Sequence, residues 1–264
     1  MASSLATVEI WQSKLLSEQR KPLREGGDLR PPLMPASVNK HVGVLKHMIQ
    51  KAMDWELISE DAAKRVRRVK ITPENNRRLR FLSMDQISNL LDACEKRLKP
   101  IVNFALNTGC RRGEILGLTW DRVDLEHGFI LLDETKSGKR REIPINATVR
   151  ALLKAIVKRP KKPKIQYVFV NPYTDNRYYD LKKSFASACE IAGISDFHFH
   201  DLRHTFASQL IMAGVDITSV SRLLGHATLT MTLRYAHLAP NHLQNAVDVL
   251  SNLTSTHEKT KGHA

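Results

Sequence analysis

Cysteine is scarce: only Cys94, Cys110 and Cys189 occur in 264 residues. They are odd in number, far apart and free of any C-x-x-C pair. That excludes a disulfide framework and a zinc ribbon and fits a reducing compartment. No apolar run approaches the ~18 residues that a membrane-crossing helix needs. Residues 1–11 have neither a basic start nor an apolar middle, so no secretory signal is expected there. A glycine-rich phosphate loop is missing, and with it the usual sign of nucleotide use. Acidic residues are outnumbered, with 27 Asp and Glu against 41 Lys and Arg, a net charge of +14 and a pI near 9.8. Such an excess points to a polyanionic partner, nucleic acid first, and says nothing about fold. The hydrophobic share of 42% is enough for one large or two smaller globular domains.

Three regions follow from the pattern. Residues 1–70 read as a short helical domain. Leu5, Val8, Trp11 and Leu15 share one helical face. A loop rich in Pro and Gly spans residues 22–35. Ser37 is a candidate N-cap for one stronger helix, whose apolar stripe is Val38, Val42, Leu45, Ile49 and Ala52. Its other faces carry Lys40, His41, Lys46, His47 and Lys51. Residues 71–80 read as a linker. Pro73 and two asparagines oppose regular structure there; Arg67, Arg68 and Lys70 just before it and Arg77, Arg78 and Arg80 within it make the junction basic. It either tracks a phosphate backbone or is a solvated tether. Sixteen basic against nine acidic residues precede Phe81, half of the net charge of +14.

Residues 81–253 form the larger region, mainly helical with a small sheet, and 254–264 a polar tail. Ser83 and Gln86 have capping-box spacing. Further helices are expected at residues 100–107, 149–157, 180–192, 201–213, 217–224, 229–236 and 240–250. Short strands are expected at 129–132, 142–145 and 167–170. Gly193, Gly214 and Gly225 stand where helices stop.

Four motifs recur through this region in a fixed order. Thr108-Gly-Cys-Arg-Arg-Gly-Glu114 lies between two helices, and Thr135-Lys-Ser-Gly-Lys-Arg-Arg141 in a hairpin. His200-Asp-Leu-Arg-His-Thr205 opens a helix. Leu224-Gly-His226 closes another, and Tyr235 follows nine residues after His226. Each motif alone is weak, and a lone His-x-x-Arg is usually a surface feature. Together, in this order, they resemble the tyrosine recombinases, the phage-type integrases and their Xer-like relatives. The resemblance is strong over residues 81–250 and loose before them, where one strong helix stands in place of several.

The resemblance implies a mainly α fold with a small β-sheet, a tyrosine-recombinase catalytic domain after an abbreviated core-binding domain. It implies DNA strand cleavage and rejoining through a 3′-phosphotyrosyl intermediate, without metal, ATP or other cofactor. Tyr235 is then the nucleophile, and Arg111 and Arg203 hold the phosphate oxygens. His200 is the candidate base, Lys136 the candidate acid, His226 a phosphate hydrogen-bond donor and Glu114 a support for a neighbouring cation. The chemistry suits these residue types. Guanidiniums hold phosphate oxygens in a planar fork and stabilise the added transition-state charge. A phenol with a pKa near ~10 needs a base. Lys139 is a local rival to Lys136, as acid or phosphate anchor. His198 and His204 flank His200 but lack a third ligand for a metal.

Lys40, Lys46, Arg67, Arg68, Arg77, Arg78 and Lys139 are the expected DNA contacts. The implied partners are double-stranded DNA, three further copies in a homotetramer linked through residues 241–250, and accessory DNA-bending proteins. No membrane partner is expected, and the implied location is the cytoplasm, at the nucleoid, as part of a mobile element. The rival readings are an idle DNA-binding relative, a type IB topoisomerase and, last, an RNA-binding protein.

Overall fold

A computed structural model describes residues 4–74, 79–132, 140–157 and 166–240. Among the sequence assignments, Lys136, Lys139, Arg77, Arg78 and the helix at 241–250 lie outside the described residues. The chain divides into two compact units, residues 1–78 and 79–264.

The first unit is helical. It contains α1 (Ser4–Ser17), α2 (Pro35–Asp54) and α3 (Glu60–Arg67). The α2 helix begins before Ser37, because Pro35 sits in its first turn, where a missing N–H leaves no bond unmade. Its inward residues Val38 and Val42 close on Val69, with Val8, Leu15, Leu16 and Leu33 around them. The α3 helix escaped the sequence reading because it buries only Ala63 and Val66. What favours it is charge order: Glu60 and Asp61 open it, and Lys64, Arg65 and Arg67 close it, complementing the helix dipole. Among the described residues the unit thus holds three helices, the short and the stronger one expected from the sequence and α3.

Side chains tie the segment after α3 to α1 and α2. Gln12 donates to the Lys70 carbonyl (3.1 Å) and to the Thr72 hydroxyl (2.9 Å). The Asn39 amide pairs with the Thr72 backbone in both directions, at 2.7 and 2.8 Å.

The second unit contains α4 (Met84–Ala93), α5 (Lys99–Thr108), α6 (Arg112–Leu116), α7 (Ala147–Val157), α8 (Lys182–Ile191), α9 (Asp201–Met212) and α10 (Ile217–Leu224). The strands β1 (Val123–Asp124), β2 (Phe129–Leu132) and β3 (Arg141–Pro144) form an antiparallel sheet in that order. A second hairpin pairs β4 (Val170–Asn171) with β5 (Asn176–Arg177). The strand expected at 167–170 shrinks to Val170 plus a single bridge between Tyr167 and Thr119.

The apolar centre surrounds α5, whose Phe104 meets the ring of Phe169 edge-on at 5.2 Å. The capping box at α4 is present, with Ser83 and Gln86 exchanging bonds of 3.2 Å. The helix expected at 229–236 is instead two 3-10 segments, Leu229–Met231 and Leu233–Leu238. Threonines at 228, 230 and 232 disfavour α-helix. Leu229, Met231 and Leu233 are exposed and give no buried stripe to hold one. Among the described residues, no helix is long and apolar enough to cross a membrane.

Candidate active site

The site is built where the ends of α5, α6, α9 and α10 meet β3. Two glycines let the chain turn there. Gly109 ends α5 at φ 61° and Gly225 ends α10 at φ 62°, the left-handed region that glycine enters at least cost. A Cβ at Gly109 would lie 2.4 Å from the Phe206 ring. One at Gly225 would lie 2.5 Å from the Arg141 guanidinium. Neither position has room for a side chain.

Arg111 stands in extended conformation just before α6. The Glu114 carboxylate, one turn later, accepts its backbone N–H at 2.7 Å and its guanidinium at 2.8 Å. The same carboxylate accepts from Arg141 of β3 at 2.8 Å. Arg141 also donates to the carbonyl of Leu224, the last residue of α10. Arg203, in the first turn of α9, donates to that same carbonyl at 2.5 Å and to the Gly109 carbonyl at 2.7 Å. Helix ends whose carbonyls lack intrahelical partners are natural acceptors for cations.

Three guanidiniums thus converge on one carboxylate and two carbonyl oxygens. Arg203 is only 4% exposed. Burial, with Arg111 and Arg141 beside it, lowers its pKa to about 10, so it stays charged at neutral pH. The cluster keeps an excess of two positive charges, costly away from water unless an anion joins it.

His200 borders the opening of this cluster. It lines a cleft of about 640 Å³ with Arg111, Glu114, Arg122 and Leu132 among the walls. Its ring is solvent-exposed, and partial burial with Arg203 nearby lowers its pKa. His226 follows α10, its Nδ1 2.7 Å from the Thr232 hydroxyl. Burial and then Arg203 bring its pKa down to about 4, so the ring is neutral at pH 7. With Nδ1 occupied by Thr232, its Nε2 is the nitrogen left for a ligand.

Tyr235 sits in the second 3-10 segment, 1% exposed, and does not line the cleft. Its hydroxyl is 2.5 Å from Nδ1 of His204. Burial raises the pKa of the phenol.

The structure therefore brings Arg111, Glu114, Arg203, His200, His226 and Tyr235 into one region, as their order in sequence suggested. Sequence reasoning missed Arg141, His204 and Thr232 as parts of it. For Arg141 a signal existed: it alternates with Ile143 on the inward face of β3. For His204 the only signal was its place one turn after His200 on the same helical face. His198, its neighbour in the metal question, faces Asp201 at 3.6 Å and is itself exposed.

In residues 1–78 the expected DNA contacts differ among themselves. Lys40 is exposed on α2 and Arg68 is exposed at the end of α3. Lys46 is engaged elsewhere, its ammonium donating to the carbonyls of Arg67 (3.0 Å) and Val69 (2.7 Å). This tie sets Lys46 apart from the exposed Lys40 among the expected DNA contacts. Arg67 donates to the side chains of Gln50 and Met53.

Comparison with known proteins shows the family. Residues 80–242 match the family described as the phage integrase family. The integrase of Salmonella phage P22 is 31% identical over 273 residues, covering 97% of this chain and 68% of that protein. The shufflon-specific DNA recombinase of Escherichia coli is 29% identical, over 82% of this chain and 55% of its own length. The chain thus spans from about half to two thirds of these two relatives. Among solved structures, the catalytic domain of bacteriophage HP1 integrase is 36% identical, covering 65% of this chain and 95% of that one, with a TM-score of 0.53. An integrase of transposon Tn1549, solved with a circular intermediate DNA, shares the fold at 20% identity and a TM-score of 0.69, over 95% of this chain and 86% of that one.

Proposed function

Because the chain belongs to the phage integrase family of tyrosine recombinases, we propose that it is a site-specific DNA recombinase that cleaves and rejoins strands through a phosphotyrosyl bond at Tyr235. The observation that carries this reading is the cluster of Arg111 and Arg141 on the carboxylate of Glu114 with Arg203 beside them, held by the Gly109 and Leu224 carbonyls. A cluster with surplus positive charge, open to a cleft, suits a phosphodiester and suits its more highly charged transition state better still.

In this mechanism Arg111 and Arg203 hold the non-bridging oxygens. Glu114 and Arg141 do not meet the substrate; they fix Arg111 and the end of α10. His226, neutral and anchored by Thr232, offers Nε2–H to a phosphate oxygen. The phenolic oxygen of Tyr235 attacks phosphorus, and the 5′ oxygen departs with a proton that Lys136 supplies. The phosphotyrosyl bond conserves the energy of the broken linkage, so a 5′ hydroxyl reverses the step with no ATP and no other cofactor. Tyr235 attacks from the second 3-10 segment, with its hydroxyl held against His204.

The partner is double-stranded DNA, held in the working state by four copies, with DNA-bending proteins assisting. Residues 1–70 are the core-binding domain, gripping DNA through Lys40, Arg67, Arg68 and the stretch that includes Arg77 and Arg78. Residues 81–253 are the catalytic domain. The protein works in the cytoplasm.

The test is covalent capture. Purified protein is mixed, without metal or ATP, with a pool of nicked duplexes of random sequence. Protein-linked DNA is recovered under denaturing conditions and sequenced. A recovered site with wild type, and none with Tyr235→Phe, supports the reading. No linked DNA, or equal recovery with Tyr235→Phe, rejects it. Exchange between two copies of the recovered site, against relaxation of any supercoiled plasmid, separates a recombinase from a topoisomerase.

A further inference from the structure

The proton of Tyr235 needs a destination, and the sequence offered His200. The geometry points elsewhere. The group within hydrogen-bond reach of the phenol is Nδ1 of His204, at 2.5 Å. The two rings lie 5.9 Å apart, centre to centre. One turn earlier on the same face of α9, His200 stands edge-on to His204, with centroids 5.3 Å apart and planes at 90°. His200 in turn lines the open cleft. Phenol, partly buried imidazole, exposed imidazole and cleft thus follow one another.

We propose that His204 is a catalytic residue, the group that takes the phenolic proton as Tyr235 attacks, with His200 connecting it to the cleft. The inference rests on the recombinase reading above and deepens it. In the step, the tyrosine oxygen forms its bond to phosphorus while the bond to the 5′ oxygen breaks. The O–H proton moves to Nδ1 of His204, and the 5′ oxygen leaves with a proton from the separate acid. On rejoining, the 5′ hydroxyl attacks, the tyrosine oxygen departs, and His204 returns its proton to it.

The protonation states fit this direction. His204 faces His200, Asp201 and Arg203 from its own helix and its first turn, and Arg234 and Tyr235 from the 3-10 segment. Burial first, then the positive neighbours, hold its pKa at about 4, so it is neutral at pH 7 with a lone pair to accept with. The phenol, its own pKa raised by burial, is the donor. So weak a base suffices for two reasons. The phenolic oxygen loses basicity as it bonds to phosphorus, and the phosphodiester brings into the cleft a negative charge that favours imidazolium.

The test uses the full chain and the duplexes recovered above, under single-turnover conditions from pH 5.5 to 9.5. His204→Phe removes the hydrogen bond and the base. His204→Asn keeps an oxygen able to accept the hydrogen bond but cannot take the proton. Both should fold, by thermal melting, and bind the duplex as wild type does. Both should form the adduct roughly 10²-fold or more slowly, with rates that climb with pH where the wild-type rate has levelled off. Near-wild-type cleavage by His204→Asn beside slow His204→Phe would reduce His204 to a holding contact and overturn the proposal. Cleavage as fast as or faster than wild type in both would overturn it too.

The nitrogen-15 spectrum of the free protein gives a readout that needs no DNA cleavage. Neutral His204 should carry its proton on Nε2, and Tyr235→Phe should shift its Nδ1 signal. A proton found on Nδ1 overturns the proposal even if wild type forms no adduct, an outcome that by itself rejects the recombinase reading.

Discussion

In residues 1–78 the buried apolar residues among those described are Val38, Val42, Ala63, Val66 and Val69. In residues 79–264 the apolar centre runs from Leu82 through Phe104, Ile130 and Leu153 to Leu202. The smaller unit leaves Leu23, Met34, Met48, Trp55 and Leu57 exposed. It is closed by side chains that reach backbone groups: Gln12, Asn39 and Lys46 together bind the segment from Arg67 to Thr72. The larger unit can hold a cluster of like charges because burial elsewhere in it offsets that cost. One unit depends on a few polar ties, the other on apolar volume.

The largest expected effect tests that contrast directly. Phe104→Ala removes a buried ring packed on Phe169 and should cost roughly 3–5 kcal/mol. Val42→Ala removes two methyl groups and should cost roughly 2 kcal/mol. Tryptophan fluorescence reports the units separately, since Trp11 and Trp55 lie in the first and Trp120 in the second. Denaturant melts of tryptophan-to-phenylalanine variants that keep one unit's probes should show each substitution acting on its own unit. Equal losses in both signals would mean that the units unfold together and that the contrast is one of composition only.

Much of the larger unit was legible because its helices carry regular apolar stripes between recognisable stops. Ser83 caps α4, and Gly193, Gly214 and Gly225 all adopt the positive φ that ends a helix. The stretch before Tyr235 was not legible, because Leu229 and Leu233 are one helical turn apart yet face solvent. The α3 helix was hidden by the reverse problem, too little apolar surface to make a stripe. The charged residues of the site were legible from motif order. Their partners were not, since Glu114 and Arg141 are 27 residues apart in sequence and meet only after β3 pairs with β2.

Acid should sharpen the contrast further. His204 and His226 are partly buried in the larger unit, each with a pKa near 4. In the unfolded chain the value returns to about 6.5. Between these pH values the unfolded state binds more protons than the folded one, so stability rises with pH across that window. The contribution is complete above about pH 6.5 and is lost as pH falls toward 4, roughly 1–2 kcal/mol for each histidine. The histidines of the smaller unit, His41 and His47, are exposed. Melts at pH 7 and pH 5 should therefore show the Trp120 signal weakening more than the signal from Trp11 and Trp55. Substituting glutamine for His226 should flatten part of the slope, and an unchanged slope would remove that histidine from the account.

The smallest effect separates two lysines that look alike in sequence. Lys46 closes α3 by donating to the carbonyls of Arg67 and Val69, whereas Lys40 is exposed on another face of α2. Lys46→Met should lower the stability of the smaller unit by about 1 kcal/mol and leave the salt dependence of DNA binding unchanged. Lys40→Met should leave stability within about 0.5 kcal/mol. If Lys40 meets a phosphate, its loss should reduce the slope of log affinity against log salt by ~1, because one fewer counterion is released. A result with the two roles exchanged would return Lys46 to the DNA surface and remove a polar tie from the smaller unit. Its stability would then rest on Val38, Val42, Ala63, Val66 and Val69 and on the two amides of Gln12 and Asn39.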